Sequence, residues 1–327
     1  IGFHVPWPPV QPLGTPSAMP QRHSVRIPGS TSNLGPGFDM LGLCLDLFLQ
    51  VDLVLSEGPL EHRFDAMLGE ARALPKNQEN LVVRAFRAAL EAFGVPSQHG
   101  ITWSMQSEIP VARGLGSSGA ALAAGLRLAC AVAGRDPHAE RDRLLRLGIQ
   151  LEGHPDNVVA SLLLGCTCAL LLPERVHVLQ PVLHPSLGYA VAWGQTPMPT
   201  RLARRLLPAS IAFDQALDQP RRSLGLLEGL RLGDPDLLRY GEQDYLHVAA
   251  RLPHLPGGRQ ALEAARDAGA YLATISGSGS SLIAIGPKHL DGDMAEAMGQ
   301  VLQRHDGPAH WRAAHPVLPP TPHGSQG

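Results

Sequence analysis

Polar and apolar residues alternate through RHSVRIP (residues 22–28) and again through LCLDLFLQVDLVLS (43–56), so both stretches are predicted strands. The intervening GSTSNLGPGFDMLG (29–42) is dense in Gly, Ser and Asn and reads as a loop. NLVVRAFRAALEAFG (80–94) has the apolar spacing of an amphipathic helix, with Asn80 as its N-cap and Gly94 just past its end. GITWSMQSEIP (100–110) is a predicted strand that stops at Pro110. A glycine loop and a helix over residues 120–133 follow, and GRDP (134–137) ends that helix. HAERDRLLRLGIQLEG (138–153) is a second helix. After HPDN, the run VVASLLLGCTCALLL (158–172) begins helical and ends as a strand.

A second unit begins near residue 180. It has a strand in GYAVAWG (188–194), a short helix in PTRLARRLLP (199–208), and helices around 223–250 and 258–268. GAYLATISGSGSSLIAIG (269–286) reads as two strands about a Gly/Ser turn. DMAEAMGQVLQRH (293–305) is a helix, and a last strand lies near HWRAAHPV (310–317). No fixed-period repeat is present. Strands and helices mix without a regular βαβ array, so the fold class is α+β.

The chain has 327 residues, 44% hydrophobic and 17% charged, enough for two domains with packed cores. A formal net charge of −2 argues against a general nucleic-acid binder. No apolar run reaches the roughly 18 to 20 residues of a membrane span. Cys44, Cys130, Cys166 and Cys168 lack metal-ligand spacing and read as buried thiols in a reducing, cytoplasmic compartment. Residues 1–20 are proline-rich and read as a disordered or spurious leader, with Met19 as the natural start; residues 314–327 read as a disordered tail.

IPVARGLGSSGAALAAGLRLA (109–129) contains Gly114, Gly116 and Gly119 in the spacing G-x-G-x-x-G. A dinucleotide site would need a second strand ending in an acid about 20 residues on. Asp136 stands at that distance, but it lies between two helices, and residues 121–133 are helical throughout. A Walker A loop would need a lysine, and none is here. What remains is a glycine loop opening directly onto a helix of small residues. Such a loop turns backbone N–H groups toward an anion, and the helix N-terminus adds about half a positive charge. Ser117 and Ser118 add hydroxyls, and Arg113 adds a cation. The unadorned alternative is a tight turn with a close helix contact.

PVARGLGSSGAA resembles the phosphate loop of the GHMP kinases. PGSTSNLGPGFDMLGLCL (28–45) resembles the first motif of that family in its homoserine-kinase form, and GAYLATISGSGSS (269–281) resembles the third. Three motifs in order span roughly 250 residues, which makes the resemblance specific. EGHPDNV (152–158), TRLAR with Leu-Leu-Pro (200–208) and HVAARLPHLPG (247–257) point to the homoserine-kinase branch. Two departures stand out: Glu152 is closer to His154 than the family spacing has it, and Ala occupies a position between His247 and Arg251 where the family usually has Glu.

The resemblance implies a ribosomal-protein-S5-like N-terminal domain over residues 21–180, a ferredoxin-like C-terminal domain over 181–313, and a possible homodimer. It implies transfer of the ATP γ-phosphoryl group to the hydroxyl of L-homoserine, with Mg²⁺, in threonine biosynthesis. Pro110, Arg113, Gly114, Leu115, Gly116, Ser117, Ser118 and Gly119 would form the ATP site, with Asn80 near the adenine. Ser118 and Glu152 would ligate Mg²⁺. The carboxylate of homoserine wants a guanidinium fork, for which Arg204 and Arg251 are candidates, and its ammonium wants an acid, for which Asp39 is the candidate. Asn33, His154 and Asn157 would orient the substrate. Asn157, Thr200 and Arg204 would act at the transferring group. Asp156 would either take the hydroxyl proton or brace the loop. Two alternatives stay open: another small-molecule GHMP kinase of mevalonate type, and a catalytically inactive ligand-binding homologue.

Overall fold

The computed structural model describes residues 11–13, 21–56, 61–96 and 100–320. The first sheet is built from β1 (Gln11–Leu13), β2 (Arg22–Asn33), β3 (Gly37–Ser56), β4 (His62–Gly69), β5 (Gly100–Ser107), β6 (Cys166–Leu171) and β7 (Val176–Leu179). Its strand order is β1-β2-β3-β5-β4, and β6 joins the start of β3 and pairs β7. Only β4 and β5 run parallel. Helices α1 (Leu81–Ala92), α2 (Ser117–Val132), α3 (Arg141–Glu152) and α4 (Asp156–Leu163) complete this unit. Asn80 caps α1 by accepting a hydrogen bond from the Val82 N–H at 3.0 Å.

Helix α2 is buried on every side from Gly119 to Cys130. Its small residues let neighbours approach closely: a Cβ on Gly125 would sit 2.2 Å from the Val82 carbonyl of α1. This all-round burial explains why α2, apart from the buried Arg127, is small and apolar from Gly119 to Cys130 and lacks the one-sided pattern of a surface helix.

The second unit contains β8 (Leu187–Trp193), α5 (Thr200–Arg205), α6 (Phe213–Leu232), α7 (Pro235–Tyr240), α8 (Val248–Arg251), α9 (Gly258–Asp267), β9 (Leu272–Ile275), β10 (Leu282–Pro287), α10 (Asp291–Asp306) and β11 (His310–Ala314). The four strands form an antiparallel sheet of order β11-β8-β10-β9, the ferredoxin-like order. Alternation along β8 serves two cores. Leu187, Tyr189 and Val191 join the core of the first unit, while Ala190 and Ala192 pack with residues of α9 and α10.

The structure departs from the sequence reading in five places, one of them α6, which begins at Phe213, ten residues before the helices expected from about residue 223. Residues 29–33 and 37–42 are strand, and only residues 34–36 turn between them. Their polar side chains, which signal a loop, are buried and bonded across the fold: Ser30 Oγ donates to Asn157 Oδ1 at 2.9 Å and Ser276 Oγ to Thr31 Oγ1 at 2.9 Å. Helix α2 begins at Ser117, inside the glycine loop, and not at 120. Strands β4 and β7 have no counterpart in the sequence reading; the burial pattern of β4 alternates weakly because most of its residues keep some exposure.

The fifth departure concerns the ends. Gln11–Leu13, inside the expected leader, pairs β2. Residues 315–317 of the expected tail lie along β3: the Asp46 N–H donates to the His315 carbonyl, and the Val317 N–H to that of Cys44. Arg312 and Asp46 form an ion pair at 2.5 Å that anchors this segment. Met19, the other leader residues and residues 321–327 lie outside the described residues.

Candidate active site

A cavity of about 410 Å³ opens between the glycine loop, the β2–β3 hairpin and the start of α5. Asn80, Pro110, Arg113, Gly114, Gly116, Ser117 and Ser118 line it. So do Asn33, Asp39, His154, Asn157, Thr200, Arg204 and Arg251. Of the residues assigned from the sequence, Leu115, Gly119 and Glu152 are not on the wall. Leu115 is buried in the core, and Gly119 packs so tightly that a Cβ would lie 2.9 Å from Asn157 Cβ.

The glycine loop has the geometry of an anion cradle. Gly114 and Gly116 have φ of 77° and 73°, in the left-handed region that favours glycine. A Cβ on Gly114 would meet the Ser276 carbonyl at 2.1 Å, and one on Gly116 would meet Ser30 Oγ at 2.3 Å. No side chain caps α2 and no acid stands in its first turn, so its positive end is open toward the cavity.

Ser118 Oγ donates to Glu152 Oε1 at 2.5 Å. Glu152 Oε2 is shut off from solvent and has no hydrogen-bond partner among the described residues. Burial pushes this carboxyl up to about 7, against the pull of His154 and Ser118. An orphaned carboxylate oxygen beside a serine hydroxyl is a donor set that suits a hard divalent cation. The residues therefore fit Mg²⁺.

Asp39 and Arg204, which also line the cavity, form a bidentate pair at 2.8 and 2.9 Å. The sequence reading gives these two residues to the two ends of a substrate; here each holds the other. Asp39 has φ of 56°, and its N–H donates to Asn33 Oδ1 at 3.0 Å. Asn33 Nδ2 donates to the Gly277 carbonyl at 2.9 Å. Asn33 thus holds Asp39 in place, and its amide is already in use.

Arg251 is 2% exposed and has no carboxylate partner among the described residues. Its Nε donates to the Ala203 carbonyl at 3.3 Å, and Nη1 donates to the Gly277 carbonyl at 3.0 Å and to His247 Nδ1 at 3.2 Å. Burial, helped by the nearby Arg204 charge, pulls its guanidinium down to about 10.

His154 Nδ1 lies 2.5 Å from Asp156 Oδ1. Burial works against both charges, but the pair wins: Asp156 is held below the ordinary carboxylate range and His154 above the ordinary imidazole range. Asp156 also accepts the Asn157 N–H at 2.9 Å. A low, occupied carboxylate is a weak base, so the geometry favours the brace over the proton acceptor. Asn157 donates through Nδ2 to Ser32 Oγ at 3.0 Å and accepts from Ser30 through Oδ1, so its amide ties α4 to β2.

Two residues assigned to the nucleotide line the cavity and also bond the surrounding fold. Arg113 donates to the carbonyls of Gly194, Val111 and Gln195, and so stitches the glycine loop to the segment leading into α5. Asn80 spends its side chain on the Val82 N–H and the Pro75 carbonyl. The sequence reading missed Phe38 and Ser278, which line the cavity, and His247 behind Arg251. Phe38 was legible beside Asp39 in the NLGPGFD motif, and Ser278 within the Gly/Ser turn of GAYLATISGSGSS.

The GHMP kinases N terminal domain matches residues 80–165, and GHMP kinases C terminal matches residues 226–303. A curated homoserine kinase of Synechococcus sp. is 40% identical over 277 residues, covering 84% of this chain and 87% of that protein. A homoserine kinase of Moorella thermoacetica is 39% identical over 261 residues, covering 80% and 86%. The chain belongs to the homoserine kinases of the GHMP kinase family. This kinase is similar in structure to the crystal structure of homoserine kinase from Cytophaga hutchinsonii, with a TM-score of 0.79, 27% identity and coverage of 93% and 97%. A mevalonate kinase of L. major shares its fold at a TM-score of 0.65 and 14% identity, with coverage of 95% and 99%. The kinase uses ATP, as its family implies, on a small-molecule acceptor. No described helix is long and apolar enough to cross a membrane.

Proposed function

We propose that this kinase transfers the γ-phosphoryl group of ATP to the hydroxyl of L-homoserine. The observation that carries the reading is the buried Arg251, a cation without a carboxylate partner among the described residues, lining the same cavity as the Asp39–Arg204 pair. A desolvated guanidinium is stabilised by an anion that enters the cavity. A zwitterionic amino acid supplies one. Its carboxylate satisfies Arg251 and Arg204, its ammonium takes over Asp39, and one internal ion pair is exchanged for two across the interface. Mevalonate has the carboxylate but no ammonium to replace Arg204 on Asp39, which favours homoserine over a mevalonate-type acceptor.

The backbone N–H groups of the glycine loop and the open end of α2 would hold the phosphates. Ser118 and Glu152 would hold Mg²⁺, which neutralises charge on the phosphate oxygens when bound. Thr200, at the first turn of α5, and His154 lie where they would orient the acceptor side chain. The transition state of phosphoryl transfer is loose, so positioning and charge neutralisation dominate and a weak base at Asp156 is no obstacle.

The test is ADP release with ATP, Mg²⁺ and L-homoserine, beside mevalonate, galactose and L-threonine, in wild type and Arg204→Ala. Turnover with homoserine alone, lost in the variant, supports the reading. Turnover with mevalonate or galactose overturns the substrate. Tight ATP binding without turnover on any acceptor favours a ligand-binding homologue.

A further inference from the structure

We propose that His247 is a positioning residue that aims Arg251 at the cavity through its Nδ1 atom, and so sets the affinity for the acceptor's carboxylate. The inference rests on the substrate reading above and names a group that reading leaves out.

His247 precedes α8, one turn before Arg251, and its side chain is fully buried. Its two ring nitrogens have fixed roles. Nε2 lies 3.0 Å from the Gly35 carbonyl, which only accepts, so Nε2 carries the proton. Nδ1 lies 3.2 Å from Arg251 Nη1, which only donates, so Nδ1 presents a lone pair. The imidazole is therefore neutral in a single tautomer, which agrees with the lowering of its pKa by burial. The Asp244 carboxylate is 3.9 Å from Nε2, too far to compete for that proton. Phe38 stacks on the ring with centroids 5.0 Å apart and fixes its plane.

The effect is on Arg251. With Nε on Ala203 and Nη1 on Gly277 and His247, the Nη2 edge is left for a ligand in the cavity. Removing the lone pair of His247 strands a buried N–H and frees the fork to rotate. The turn at Gly35 does not depend on His247 alone. Gln219 Nε2 and Ser223 Oγ both donate to the Pro36 carbonyl, at 3.2 and 2.8 Å. The bond to Gly35 can therefore be lost without losing the hairpin, and the two functions of the ring can be separated.

Three variants of the full chain separate them. The amide of Asn reaches the position of Nδ1 and can accept from Arg251, whereas the longer Gln reaches the position of Nε2 and can donate to Gly35 but offers no acceptor to the Nη1 N–H of Arg251 that His247 holds. We expect His247→Ala and His247→Gln to raise the KM for homoserine by about tenfold or more, with the KM for ATP unchanged. We expect His247→Asn to restore the homoserine KM to within about threefold of wild type. A ring that merely fills space would give Asn and Gln the same effect, and that result overturns the proposal. So does a homoserine KM unchanged in His247→Ala, or losses in kcat and both KM values that track the melting temperature. If wild type does not phosphorylate homoserine, the substrate reading falls and this inference falls with it. If wild type does and the variants do not separate, only this inference falls.

Discussion

Replacing Glu152 by Gln is expected to stabilise the metal-free protein while removing the carboxylate proposed to hold Mg²⁺. The wild-type carboxyl is pushed from 4.5 up to about 7 by burial. Below pH 4.5 both folded and unfolded chains carry the proton, and the carboxyl has no effect on stability. Between pH 4.5 and 7 the unfolded chain releases the proton and the folded chain keeps it, so wild-type stability falls as pH rises. Above pH 7 the loss is complete. The shift corresponds to about 3 kcal/mol. Gln has no such loss and still accepts from Ser118. Urea unfolding of both proteins in EDTA, from pH 4 to pH 8.5, measures the difference. It is expected to be near zero at pH 4, to open in favour of the variant between pH 4.5 and pH 7, and then to level off. Adding Mg²⁺ at pH 8 is expected to stabilise wild type and not the variant. A variant less stable than wild type at pH 8 in EDTA, or a difference independent of pH, would refute the argument that this carboxylate is held unpaired for a cation.

Arg113→Met keeps the stem but removes the three carbonyl contacts, so the homoserine KM is expected to rise along with that for ATP; an effect on ATP alone would mean that Arg113 acts on the nucleotide and not through the segment leading to α5. Gly125→Ala should gain about 1 kcal/mol by helix propensity but instead lose about 2 kcal/mol or more, because the added Cβ meets the Val82 carbonyl at 2.2 Å; denaturant titration gives the sign directly. Asp46→Ala removes the partner of Arg312 and of the His315 N–H, and is expected to raise hydrogen exchange in residues 312–317 while leaving β5 protected; unchanged exchange there would show that the strand pairing suffices.

The candidate site was legible in the sequence to the extent that its chemistry is carried by short contiguous motifs. A glycine loop that must turn N–H groups inward needs Gly114 and Gly116 at fixed spacing, and a reader of residues 109–129 can recover it. Asp39, Arg204 and Arg251 were legible only as members of motifs, since an arginine on a helix face has no local mark of being buried. The loop expected at 29–42 failed for a physical reason. Ser30, Thr31 and Ser32 look like solvent-facing residues because their partners, Asn157 and Ser276, lie more than 120 residues away.

The sequence by itself determined the elements whose stability is local or periodic. These are the amphipathic α1 with its Asn80 cap, the alternating β3, the small-residue apolar run of α2 and the glycine turns. Tertiary structure alone decided which polar groups have spare hydrogen bonds. Asn33, Asn80, Arg113 and Asn157 carry the right chemistry for ligands, yet their donors and acceptors are taken up by the fold. Glu152 Oε2 and the cavity-facing edge of Arg251 are not taken up. Hydrogen-bonding capacity is a property of a residue, but whether it is spent depends on what long-range packing brings within about 3 Å.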